Sequence, residues 1–151
     1  MVSVSYGATA DDLLDLYREY DWWADRDPED VRRALRHTDE VVVLRDEESR
    51  DPIAAARVLT DYVYYAMVYD VVVAERRRGN GLGADLVAAV VAHPRLQDVA
   101  PSLLACEGLV PFYEACGFDV MDEAIDHPDG DPEQLRWMVH RRNDAGENAE
   151  E

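Results

Sequence analysis

YDVVVAERRRGNGLGADL, residues 69–86, carries an extended segment through an arginine triplet and a glycine-rich turn into a helix. Val71, Val72 and Val73 are β-branched and favour an extended backbone. Gly79, Gly81 and Gly83 alternate with Asn80 and Leu82, so the chain can turn tightly and bring its backbone close to a ligand. Leu82, Leu86, Val87, Val90 and Val91 then recur at helical spacing, which places the glycines at a helix N-terminus. Unpaired amides and the positive end of the helix dipole attract phosphate there. Arg76, Arg77 and Arg78 add cationic donors suited to phosphate oxygens. The stretch is predicted to cradle a diphosphate.

Three cradle types compete for it. A nucleotide P-loop needs GxxxxGK[ST], and the chain contains no lysine. A dinucleotide fingerprint is formally present, because Gly79, Gly81 and Ala84 spell GxGxxA. In that motif the first glycine closely follows a strand, and an acid ends the next strand about twenty residues on. Here AERRR intervenes, and the region that should supply the acid reads Leu103-Leu104-Ala105. The third pattern, [RQ]-x-x-G-x-[GA], is matched in full by Arg78-Gly79-Asn80-Gly81-Leu82-Gly83.

A chain of 151 residues that is 48% apolar can bury one core. A single domain over residues 1–142 is expected, followed by an acidic tail over 143–151. The formal charge of −18 sets 33 acids against 15 basic residues, all of them arginine. The apolar content excludes reading those acids as disorder. A lysine-free acidic surface fits molar salt, where screening acts over about 3 Å. A halophile-like cytoplasm is therefore the expectation, against an ordinary acidic protein or a DNA-mimicking inhibitor. The same field disfavours nucleic acid and anionic membranes as partners. Residues 1–12 show no signal-peptide pattern, and the apolar run Tyr62–Ala74 is too short to span a bilayer. Cys106 and Cys116 are expected as free thiols, and the scattered His37, His93, His127 and His140 support no metal site.

Thr9, with Asp12 three residues on, marks the first helix, whose apolar face is Leu13, Leu16, Tyr17 and Tyr20. Asp27-Pro28-Glu29 starts the second, with Val31, Ala34 and Leu35 inward. Strands are predicted at Glu40–Leu44, Pro52–Leu59 and Tyr62–Val73, an antiparallel meander feeding the glycine loop. The loop's helix should stop near His93-Pro94. A strand at Pro101–Cys106 precedes LVPFYEACGFDV, where Leu109, Phe112, Tyr113 and Cys116 are spaced as a short helix and Gly117 is suited to end it. Phe118–Met121 and Leu135–His140 read as the last strands.

This order of elements, with VVVAERRRGNGLG and then FYEACGF about thirty residues later, resembles the GNAT superfamily of acyl-CoA N-acyltransferases. The similarity spans Val4 to about Arg142. It implies an α/β (α+β) fold: a mixed, mostly antiparallel sheet with two splayed parallel strands, flanked by about four helices. It implies acetyl-CoA as co-substrate, with Val71, Val72 and Val73 along the pantetheine arm and the amides of Arg78, Gly79, Asn80, Gly81, Leu82, Gly83 and Ala84 on the pyrophosphate. Glu75 stands where the family often has proline, which puts the strand exit in question. The family pattern also assigns the tyrosine of FYE, Tyr113, as the acid that protonates the leaving thiolate; packing beside Phe112 is its alternative.

An amine must be neutral to attack a thioester, so a base or a proton-accepting water is needed. Amides near the end of the Val71–Val73 strand would stabilise the oxyanion. Asp70 and Glu107 are the candidate bases; a pair with a local arginine and a helix cap are their respective alternatives, and water is a third route. Tyr62, Tyr64, Tyr65 and Tyr69, with Trp22 and Trp23, are candidates to line a cation-tolerant acceptor pocket, favouring a small or aromatic primary amine; packing is their alternative. Neither cysteine has a histidine beside it, which disfavours a covalent thiol route. A non-catalytic CoA-binding regulatory module and a dinucleotide-binding protein remain as competing readings. An exposed final strand, Leu135–His140, would offer an edge for a homodimer.

Overall fold

A capping box starts the first helix, as the Thr9 and Asp12 spacing predicts. In the computed structural model, which describes residues 1–121 and 135–141, Thr9 Oγ1 accepts from the Asp12 amide and the Asp12 carboxylate from the Thr9 amide, both at 3.1 Å. The helix that follows, α1 (Ala10–Tyr17), buries Leu13, Leu14, Leu16 and Tyr17. It ends before Tyr20, which therefore lies in the turn beyond it rather than on its apolar face. α2 (Pro28–Arg36) is capped by the Asp27 side chain and has proline in its first turn and arginines in its last.

The described strands are β1 (Val2–Tyr6), β2 (Glu40–Asp46), β3 (Pro52–Thr60), β4 (Ala66–Val73), β5 (Pro101–Cys106), β6 (Phe118–Val120) and β7 (Leu135–His140). They form one sheet in the order β1-β2-β3-β4-β5-β7-β6. Adjacent strands are antiparallel except β4 and β5, which run parallel. Their pairing extends only from Ala66 opposite Pro101 to Val68 opposite Leu103, so among the described residues the rest of β4 has no strand partner on that side.

α1 packs on the face that carries Arg45 and Arg57, each bonded to a residue on or beside it. α3 (Leu82–Val91) packs on the other face, where Gly83 meets Val73. β3 lies between these layers, and its Ala54, Ala55 and Ala56 are fully buried. Small side chains let both helices approach that strand closely. α4 (Val110–Ala115) closes the β5–β6 side, with Pro111 in its first turn.

Two expectations change. β4 begins at Ala66, not Tyr62, because residues 61–65 form the hairpin turn. Asp61 Oδ1 accepts from the amides of Val63, Tyr64 and Tyr65, and Tyr62 takes a left-handed φ of 65°. β7 is not the sheet's edge strand: β5 pairs it on one side and β6 pairs Met138–His140 on the other. The acidic tail expected over 143–151 lies outside the described residues. Among the described residues no helix is long and apolar enough to cross a membrane.

Gly117 ends α4 at φ 98°, and a Cβ there would lie 2.9 Å from His140 Nε2. Gly117→Ala is expected to destabilise the fold by about 1–2 kcal/mol from the left-handed backbone alone. Urea titration checks this: the midpoint should fall with the slope unchanged, and an unaltered midpoint contradicts it.

Candidate active site

The glycine loop takes the form its sequence predicts. Residues Glu75–Arg77 make a short 3-10 turn, Arg78 is extended, and Gly79 and Gly81 adopt φ of 84° and 78°. Gly81 is the N-cap of α3, and no side chain caps that terminus. The first bond into the helix runs from the Asp85 amide to the Gly81 carbonyl. The amides of Leu82, Gly83 and Ala84 precede it and have no acceptor within the helix. Gly83 serves a close approach rather than a turn: a Cβ there would stand 3.2 Å from Phe112 Cζ and 3.8 Å from Val73 Cγ2. α3, β4 and α4 therefore meet at this residue.

The arginine triplet divides its roles. Arg76 is exposed, Arg77 pairs with Asp46 at 3.2 Å, and Arg78 folds back to donate from Nε to the Val73 carbonyl at 3.2 Å. Arg78 also stacks on the Tyr20 ring, 4.6 Å from its centroid.

β4 is bulged beside this loop. Tyr69 lies opposite Arg57, yet Val72 rather than Val71 lies opposite Ala55. Asp70 sits in the bulge with φ 54°. Its Oδ2 accepts from Tyr17 Oη at 3.1 Å, Arg26 Nη1 at 2.8 Å and Arg57 Nε at 2.8 Å, and Oδ1 accepts from Arg26 Nη2 at 3.3 Å. Burial alone would raise the Asp70 pKa, but bonds and charges from both arginines outweigh it and hold the carboxyl below its usual value. The same burial, with the Asp70 charge beside it, pushes the Tyr17 phenol up. This geometry gives Asp70 the arginine-pairing role and argues against its use as a base. A cavity of about 430 Å³ opens beside the cluster, lined by Leu13, Tyr17, Arg26, Val31 and Arg57 among others.

Tyr113 lies on α4, buried, with ring centroids of Phe112 and Phe118 at 4.9 and 5.9 Å. Burial pushes its phenol pKa well up, and Cys116, Cys106 and Tyr20 act in the same direction. The phenol is therefore protonated at neutral pH. Glu107 begins the turn after β5, is partly exposed, and pairs with Arg136 at 3.4 Å.

The six predicted pocket aromatics do not converge. Tyr62 bonds through its hydroxyl to Glu40, which lies at the other end of β2 and β3 from Val73. Tyr64 and Tyr65 stand exposed at the hairpin tip. Trp22 and Trp23 pack on Tyr20, at 5.4 and 5.5 Å. Tyr69 remains, and the register places it on the same sheet face as Leu104 and Trp137, which are cross-strand partners and partly exposed. Alternation within β5 and β7 carried that strip, but only the strand order joins it to Tyr69. Among the described residues no group of His, Cys, Asp or Glu could hold a metal ion.

A model of the acetyltransferase (GNAT) family matches residues 10–118. The rice (Oryza sativa subsp. japonica) protein serotonin N-acetyltransferase 2, chloroplastic, is 40% identical over 122 residues, covering 78% of this chain and 56% of its own length. GCN5-related N-acetyltransferase 1, chloroplastic, of Arabidopsis thaliana is 31% identical over 118 residues, covering 78% and 55%. The chain thus spans about half the length of these curated relatives. Among solved structures, an aminoglycoside 6'-N-acetyltransferase complexed with coenzyme A is similar at a TM-score of 0.73, over 94% of this chain and 99% of that one, with 15% identity; the likeness is one of fold.

Asp70→Asn would leave Arg26 and Arg57 facing a neutral group, a loss of about 3 kcal/mol. The Asp70 pKa is lowered on folding. Its contribution is therefore full above the unfolded value of about 3.9 and is lost as pH falls below it, through the folded value. Urea midpoints between pH 3 and 7 check this: the wild type should weaken on the acid side more than the variant does.

Proposed function

The chain belongs to the acetyltransferase (GNAT) family, and on that premise we propose that it moves the acetyl group of acetyl-CoA to a small or aromatic primary amine by direct attack. The observation that carries this reading is the uncapped N-terminus of α3 beside the end of β4 that β5 leaves without a strand partner. One element offers amides to a pyrophosphate, and the other offers a strand edge to an extended arm. The amides of Gly79 through Ala84 hold the pyrophosphate, since the Arg78 amide is taken by the Glu75 carbonyl at 3.2 Å, and Val71–Val73 run along the arm. The site residues so named fit the group: the amides of Leu82, Gly83 and Ala84 have no acceptor within the helix, and a Cβ at Gly79 or Gly81 would meet nothing within 4 Å, so the space over the loop is clear.

The neutral amine nitrogen attacks the thioester carbonyl, and the oxyanion is met by amides at the bulged end of β4. When the C–S bond breaks, Tyr113 gives its proton to the thiolate. The amine's proton leaves to water, with Glu107 as the remaining carboxylate candidate at the end of β5. The leaning toward an aromatic amine is supported by the Tyr69, Leu104 and Trp137 strip and by the name of the rice relative. The acidic composition supports a salt-rich cytoplasmic setting, so assays belong in molar KCl.

In molar KCl, acetyl-CoA and CoA should raise the thermal midpoint with concentration while NADH does not. With a panel of small amines, Tyr113→Phe should lower kcat about 10²-fold and leave the KM for acetyl-CoA within about threefold. A folded sample that ignores CoA contradicts the cofactor assignment, and an unchanged kcat contradicts the acid assignment.

A further inference from the structure

Tyr20 makes two bonds to a single residue of β4. Its hydroxyl donates to the Val73 carbonyl at 3.1 Å and accepts from the Val73 amide at 2.9 Å. A hydroxyl that donates and accepts at once does what a peptide group does at a strand edge. The edge is the one that β5 leaves open. The next amide, Ala74, bonds Ile53 of β3 at 2.7 Å, and so the polar groups of Val73 turn toward the gap. Arg78 reinforces the contact by bonding the same carbonyl and stacking on the Tyr20 ring. Beside it, Glu19 accepts from the Glu75 amide at 2.6 Å. The segment after α1 is thereby fastened across the end of β4.

We infer that Tyr20 is a latch on the cofactor edge that selects ligands able to replace it. The inference rests on the placement of the pantetheine arm along β4 proposed above. A ligand that takes Val73 must break both phenol bonds, and only an arm bearing amides returns a donor and an acceptor in exchange. The arm of CoA carries two amides. A nucleotide that ends at its phosphates reaches the glycine loop and leaves the latch shut. Opening it also releases Arg78, at the start of that loop, so arm binding frees a guanidinium for the pyrophosphate. The bonds of Arg26 to Asp70 anchor the far end of the same segment, so the movement is confined to the residues between.

Tyr20→Phe removes the hydroxyl and keeps the ring for Arg78, Trp22 and Trp23. Calorimetry in molar KCl would compare CoA with adenosine 3′-phosphate 5′-diphosphate, its nucleotide half. CoA should bind the variant about fivefold more tightly than the wild type, while the nucleotide binds both alike. If the nucleotide binds and CoA affinity is unchanged or weaker in the variant, the latch is wrong and the cofactor assignment stands. Equal tightening of both ligands also overturns it, because the effect is then not on the arm. If neither ligand binds folded wild type, the cofactor assignment falls and the latch with it. Should the variant fold poorly, hydrogen exchange on the wild type decides: CoA, and not the nucleotide, should speed exchange across residues 19–23, and no such difference overturns the inference.

Discussion

Asp70 holds together parts of the chain that are far apart in sequence. Its carboxylate gathers Tyr17 from α1, Arg26 from the segment before α2 and Arg57 from β3, while its backbone takes the left-handed turn that bulges β4. A residue other than glycine holds such a φ only where its surroundings over-determine it. Here the surroundings are two guanidinium groups and a phenol that together leave the carboxylate little freedom. Residues 71–73 owe their position to that bulge, and so does the register by which β4 leaves β3. The desolvation of a buried acid is thus offset by two cations, one of them packed on Tyr17 and Trp23 at 4.8 and 4.9 Å.

The opposite end of the sheet uses the same device. Glu40 is buried at the start of β2, with His93 Nε2 and Arg95 Nη1 each 3.0 Å from its carboxylate and the Tyr62 hydroxyl bonded to it. His93 Nδ1 accepts from the Arg95 amide, which turns Nε2 to the Glu40 side of the ring. This ties the exit of α3 to the meander, as Gly83 ties its entrance to β4 and α4. The cradle is therefore fixed at both ends of its helix. Both buried acids are met by arginine, as expected of a chain whose basic residues, apart from histidine, are all of that type.

Local chemistry made most of the fold legible. The Thr9 box, the Asp27-Pro28 start, the strand at Pro101–Cys106 and the Gly117 stop each depend on a few neighbouring residues, and each lies where the sequence places it. The glycine loop was readable for the same reason. The hairpin between β3 and β4 was legible but the length of its turn was not, because Tyr62-Val63-Tyr64-Tyr65 has strong strand propensity, and the carboxylate of Asp61 overrides it by binding three amides. The Asp70 cluster was half legible: an arginine partner was one of its two readings, but Arg26 and Arg57 lie 44 and 13 residues away and no spacing announces them. Tyr20 gave no warning at all, since its spacing from Leu13, Leu16 and Tyr17 looks like one more helical turn.

The insertion of β7 between β5 and β6 bears on how the chain is made. β2 through β5 each pair with a strand that is already synthesised when they emerge. β6 has no described partner except β7, which follows it in the chain. Until residues 135–140 leave the ribosome, β5 keeps its far edge unpaired and Phe118 lacks the strand that covers it. The half of the sheet that supports Tyr113 is therefore the last to assemble, and a nascent chain halted at residue 121 would expose that edge to aggregation.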